Sequence, residues 1–174
     1  MAGLPVGGKR RGNDPLRGFN NDPVADLAPT AAVWLNRHRG VMQPLRKALV
    51  VEDHPDARAL VRTYLVGMGM DVVDVAEGRS AIRHLESSPP DLVCLDLMLP
   101  ELSGYEVCEF MRAHPKLKDV PILIMSARAQ PMDRAFAEDV GATAYLIKPF
   151  KRSEFSLAVA TCMNRVQSTE EIER

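Results

Sequence analysis

A chain of 174 residues has room for one domain with a proper core, but hardly for two. Its 46% hydrophobic and 26% charged content fits a soluble globular protein, and no apolar run approaches the roughly 20 residues of a membrane helix. Residues 1–41 hold six Lys/Arg against three Asp (+3), whereas residues 42–174 hold sixteen Lys/Arg against twenty Asp/Glu (−4). The larger part thus lacks the basic footprint of a direct nucleic-acid binder.

Residues 1–41 are expected to form an N-terminal extension, largely disordered up to about residue 25, since Gly, Pro, Asn and Asp dominate there. A short helix at about 29–39 is predicted, with Pro29 in its first turn and Gly40 after its end. Leu27, Ala31, Trp34, Leu35 and His38 would share one face of it. Lys9, Arg10 and Arg11 are not followed by an apolar stretch, which argues against a secretory signal, and Met42 offers an alternative translation start. Cys94, Cys108 and Cys162 lie in apolar patterns without CxxC spacing, so they read as buried thiols and the expected location is cytoplasmic.

From Lys47 onward five short apolar runs recur: Ala48–Val51, Val72–Val75, Leu92–Leu95, Ile122–Met125 and Ala144–Ile147. Continuous β-branched and leucine-rich runs suit strands buried on both faces. Helical patterns separate them. Ala57, Leu60, Val61, Tyr64, Leu65 and Met68 follow helical spacing, closed by Gly67 and Gly69. A second helix covers about Gly78–Glu86, with Ala81, Ile82 and Leu85 inward, and a third opens at Ser103 and Glu106, spaced as a capping box. A fourth covers about Gln130–Asp139. The last, ending near residue 166, places Phe155, Ala158, Val159, Cys162, Met163 and Val166 on one face. Five strand–helix repeats imply an α/β doubly wound domain with a parallel sheet. The methionines Met68, Met70, Met111, Met125, Met132 and Met163 read as core filling.

Polar residues close four of these runs: Glu52 and Asp53 the first, Asp96 the third, Ser126 the fourth, Lys148 and Pro149 the fifth. Taken singly, an Asp after a strand is usually a cap, and a Lys-Pro a turn. In an open parallel sheet, however, ligands bind at the carboxyl ends of the strands, where these residues would converge. Three packed carboxylates repel one another, and a hard dication relieves that repulsion. Mg²⁺ suits carboxylates, waters and phosphate oxygens, while no His or Cys pair supports zinc. With the ammonium of Lys148 for an anion and the hydroxyl of Ser126 as donor, the set points to phosphoryl transfer with Asp96 as nucleophile. His54, a nitrogen ligand beside an oxygen-seeking ion, reads as an exposed loop residue.

These motifs, "LVVEDHPD", "DLVCLDLMLPELSGYEV", "ILIMSARA" and "AYLIKPF", resemble the receiver domain of two-component response regulators over about residues 46–166. The resemblance implies a flavodoxin-like (βα)5 fold with strand order 2-1-3-4-5. It implies that Asp96 accepts a phosphoryl group from a phosphohistidine on a sensor histidine kinase or phosphotransfer protein. Asp53 and Asp96 would ligate Mg²⁺, Glu52 mostly through water, and the backbone carbonyl of Met98 would complete the protein ligands. Lys148 would pair with phosphoryl oxygens, Ser126 would bond one of them after transfer, and Tyr145 would be the aromatic switch. Pro149 matches a position with a cis Lys–Pro bond. Met98 and Arg128 stand where the family tunes dephosphorylation, and a bulky Met98 implies a longer-lived phosphoform.

The domain is thus expected to span 42–166, followed by a tail at 167–174, the acidic stub "QSTEEIER". No output domain is expected, so the surface of the fourth helix, fifth strand and fifth helix would act on a partner protein, with homodimerisation through that surface compatible. Phosphoryl acceptance with slow autodephosphorylation makes this a switch rather than a turnover enzyme. Two alternatives remain. A phosphatase of the haloacid-dehalogenase type would need a second acid two residues after the nucleophile, where Met98 stands. A receiver-like scaffold that is never phosphorylated would not need the intact site set.

Overall fold

A computed structural model describes residues 45–172, with side chains through residue 164. The predicted helix at 29–39 lies outside the described residues. Five strands, β1 (Lys47–Val51), β2 (Asp71–Val75), β3 (Leu92–Asp96), β4 (Ile122–Ser126) and β5 (Ala144–Ile147), alternate with five helices. The helices are α1 (Pro55–Gly67), α2 (Gly78–Ser87), α3 (Gly104–Ala113), α4 (Pro131–Asp139) and α5 (Arg152–Ile172). All strand pairs are parallel and the sheet order is β2-β1-β3-β4-β5, as the family resemblance implies.

Burial follows that order. The interior strands β3 and β4 are buried at every position, matching their unbroken apolar sequences, while the edge strand β2 is half exposed. Alternate strand residues feed two cores. Leu49, Val51, Val93, Leu95, Ile122, Ile124 and Tyr145 pack with α2, α3 and α4 residues such as Leu85, Val107, Met111 and Ala137. Ala48, Val50, Leu92, Cys94, Leu123 and Met125 pack with Val61 and Leu65 of α1 and Phe155, Val159 and Cys162 of α5. All three cysteines are buried and outside any disulfide. Burial pushes the Cys108 thiol up to about 12 and that of Cys94 higher still, so neither is a ready nucleophile.

Helix starts follow from local chemistry. Pro55 and Pro131 occupy first turns, where a missing N–H costs nothing, with Asp56 and Asp133 beside the positive helix ends. At α3 the Ser103 hydroxyl accepts from Glu106 N–H while the Glu106 carboxylate accepts from Ser103 N–H at 2.8 Å. The Ser103 hydroxyl also donates to the Glu106 carboxylate at 2.8 Å, and this bond together with that from Ser103 N–H holds the Glu106 carboxyl below its usual range.

Three readings of the helices need correction. Leu60 and Met68 on α1 face solvent, because only Val61 and Leu65 are buried against the sheet, with Tyr64 at the margin. Met132 is 80% exposed in the first turn of α4 and fills no core, unlike Met111 and Met125. The backbone of α5 continues to Ile172, past residue 166, since "QSTEEI" contains no Gly or Pro to end a helix.

Candidate functional site

Strand alternation decides which side of the sheet each terminal polar residue joins. Glu52 continues the register of Ala48 and Val50, Asp96 that of Leu92 and Cys94, and Lys148 that of Ala144 and Leu146. All three therefore belong to the α1/α5 side. Ser126 continues the opposite register, of Ile122 and Ile124, the one that also holds Tyr145. Charge gathers on one side of the strand ends and the hydroxyl and phenol on the other.

The charged group is tightly paired. The Lys148 ammonium donates to Glu52 Oε2 at 2.5 Å and to Asp96 Oδ2 at 2.6 Å. The second Asp96 oxygen, Oδ1, accepts from Met98 N–H at 2.9 Å. Glu52 is 1% and Asp96 6% exposed, and burying such carboxylates is feasible because an ammonium lies between them. Burial pushes the Glu52 carboxyl up despite its bonds to Lys148. Burial alone would lower Lys148, but its hydrogen bonds to Asp96 and Glu52 outweigh that and raise it.

Asp53, by contrast, is exposed. Glu52, Asp53 and Asp96 each offer an oxygen within 4.8 Å of the others. His54 is exposed, and Met98, two residues after Asp96, is 53% exposed.

Backbone contacts fix the frame. Lys148 N–H donates to Ser126 C=O at 2.8 Å, and the Lys148–Pro149 peptide bond is cis. Gly104 N–H bonds Leu97 C=O at 3.1 Å, and a Cβ on Gly104 would collide with the Asp96 carbonyl oxygen. Only glycine lets α3 start this close to the acidic residue.

On the other side, Ser126 is buried and its hydroxyl oxygen accepts from Arg128 N–H at 3.1 Å. The Tyr145 hydroxyl donates to Arg128 C=O at 2.9 Å, so the ring lies inward. The Arg128 guanidinium reaches Asp133 on α4 at 3.4 Å. Arg128 therefore touches the hydroxyl, the phenol and the fourth helix together, a role its sequence position alone does not disclose.

A second arginine also escaped sequence reasoning. Arg58 Nη1 donates to the backbone carbonyls of Glu52 at 2.8 Å and Asp53 at 3.1 Å. The only hint in the sequence is its position in the first turn of α1, five residues after Asp53.

A family model described as "Response regulator receiver domain" matches residues 48–160. The chain belongs to this family. Among curated relatives, the alkaline phosphatase synthesis transcriptional regulatory protein PhoP of Bacillus subtilis (strain 168) is 34% identical over 120 residues, 69% of this chain and 49% of that one. Chemotaxis protein CheY4 of Vibrio cholerae superposes with a TM-score of 0.65 at 27% identity, covering 68% of this chain and 99% of that one. The receiver domain of sensor histidine kinase PA1611 from Pseudomonas aeruginosa PAO1 was solved with a magnesium ion coordinated in its active-site cleft. It gives a TM-score of 0.64 at 32% identity, covering 70% of this chain and 99% of that one. The chain spans about half the length of the curated relatives it matches. This receiver domain is a component of two-component signalling, and no helix among the described residues is long and apolar enough to cross a membrane.

Proposed function

We propose that this receiver domain is a phosphorylation-dependent switch in which Asp96 is the acceptor. The observation that carries the reading is the Lys148 ammonium held between Glu52 Oε2 and Asp96 Oδ2 at the strand ends. An Asp96 carboxylate oxygen attacks phosphorus, and the phosphorus–nitrogen bond of the donor phosphohistidine breaks. Its electron pair stays on the imidazole, leaving an acyl phosphate on Asp96. Lys148, already at Asp96, neutralises the arriving oxygens.

The donor set fits Mg²⁺: three carboxylates, all oxygen, with ligand atoms within 4.8 Å of one another. Asp53 and Asp96 would hold the ion, with the Met98 carbonyl, and with Glu52 acting through water. When bound, the ion would neutralise charge on the phosphoryl group.

The new charge would draw the Ser126 hydroxyl away from Arg128 N–H. Because Arg128 also accepts from Tyr145, that shift would reach α4, β5 and α5, the surface proposed to engage a downstream protein or a second copy. The donor would be a sensor histidine kinase or phosphotransfer protein, and the setting the cytoplasm. The −4 balance of residues 42–174 supports a protein partner rather than nucleic acid for this domain itself.

Labelling with acetyl phosphate and Mg²⁺ tests the reading. One hydroxylamine-labile phosphoryl group per chain is expected, absent from Asp96→Asn. Equal labelling of that variant would overturn it.

A further inference from the structure

Of the three clustered carboxylates, two are fixed by their side chains: Glu52 by Lys148, and Asp96 by Lys148 and Met98 N–H. Asp53 is exposed, so packing does not aim its carboxylate. What the structure fixes instead is the peptide on either side of it. The Glu52 carbonyl belongs to the peptide plane before the Asp53 Cα, and the Asp53 carbonyl to the plane after it. Arg58 Nη1 binds both, at 2.8 and 3.1 Å. Holding both planes sets φ and ψ of Asp53, and with them the direction of its Cα–Cβ bond.

The guanidinium is itself held at its other end. Arg58 Nε faces Asp74 Oδ2 at 3.4 Å, and Asp74 Oδ1 accepts from Arg62 Nη1 at 2.6 Å. Asp74 lies on β2, whose Val75 carbonyl accepts from Glu52 N–H at 3.1 Å. The β1–α1 turn is thereby clamped between its own helix and the edge strand. Asp74, shared between Arg58 and Arg62, draws the Arg58 guanidinium toward the edge strand.

We propose that Arg58, braced by Asp74, is a positioning residue for the divalent cation, presenting the Asp53 carboxylate by fixing the peptides that flank it. The inference rests on the cation site proposed above. A lysine at 58 keeps the charge, but its single nitrogen cannot hold the two carbonyls and face Asp74 at once.

The test is calorimetric titration of MgCl₂ into the full chain without a phosphoryl donor, comparing wild type, Arg58→Lys and Asp74→Asn, alongside thermal unfolding. Arg58→Lys is expected to bind Mg²⁺ about tenfold more weakly. Its labelling by acetyl phosphate should recover the wild-type rate when Mg²⁺ is raised by the same factor. Asp74→Asn should show a smaller loss of the same kind, and it carries the test if Arg58→Lys fails to fold. Unchanged Mg²⁺ affinity in a folded variant, whatever its melting temperature, overturns the proposal. A wild type that binds no Mg²⁺ overturns the underlying site reading, and the positioning role with it.

Discussion

Lys148, at the carboxyl edge of the sheet, and Arg112, at the amino edge, are both partly buried cations, yet they answer to different partners. Lys148 meets two carboxylates. Arg112, in the last turn of α3, meets backbone carbonyls: Gly141 at 2.9 Å from Nε and 2.6 Å from Nη2, and Lys118 and Val120 at 2.9 Å from Nη1. Burial lowers the Arg112 pKa, while the carboxylates raise that of Lys148 against the same penalty. A guanidinium forked onto neutral carbonyls is a permanent brace between α3 and the segments entering β4 and β5. An ammonium between anions can serve a third anion. The same charge is structure at one edge and chemistry at the other.

That contrast can be broken in several places. Lys148→Met should slow acetyl-phosphate labelling about a hundredfold, the scale of losing one preorganised electrostatic contact. A labelling rate within twofold of wild type would remove Lys148 from the chemistry. Arg112→Lys keeps the charge but loses the fork, and should cost about 2 kcal/mol in urea unfolding through unsatisfied carbonyls, with labelling of the folded protein unchanged. If lysine serves as well, charge rather than geometry holds that edge. Gly141→Ala should cost about 1–2 kcal/mol, because residue 141 has φ +96° and a Cβ there would meet Arg112 Nε at 2.6 Å. No loss of stability would mean that the brace has slack.

The smallest effect concerns pH. Burial raises the folded Glu52 pKa above its ordinary 4.5, so the folded protein keeps a proton that the unfolded chain has released. The stability tied to that proton is complete below pH 4.5 and is lost as pH rises through the raised folded value. Glu52→Gln should flatten the dependence of melting temperature on pH between 4.5 and that raised value. An unaltered slope would show that Lys148 fully offsets the burial of Glu52.

The two edges also differ in how far sequence discloses them. Strand positions were legible to within a residue because the interior strands, buried on both faces, read as unbroken apolar runs and the edge strands kept a β-branched or apolar bias, and Glu52, Asp53, Asp96, Ser126 and Lys148 stood out as polar breaks at the strand ends. The capping box of Ser103 and Glu106 was legible because its two residues serve each other. Arg58 and Arg112 were not, since both bind main-chain oxygens, which every residue carries. Arg112 and Gly141 lie 29 residues apart, with no pairing of side-chain types to link them. Leu60 and Met68 were misread because helical spacing fixes a stripe of neighbours without saying how wide a stripe the sheet covers.

The split of Glu52, Asp96 and Lys148 from Ser126 and Tyr145 behaves like a reading frame. Deleting one residue within β5 would swing Lys148 across the sheet, away from Glu52 and Asp96, and leave two buried carboxylates without their cation. Deleting two would restore its side, but shorten its reach by about 7 Å. Length changes in the turns at the amino edge carry no such penalty for the acidic residues. Viable insertions and deletions should therefore accumulate outside the strands, whose lengths are constrained more strictly than their apolar residue types.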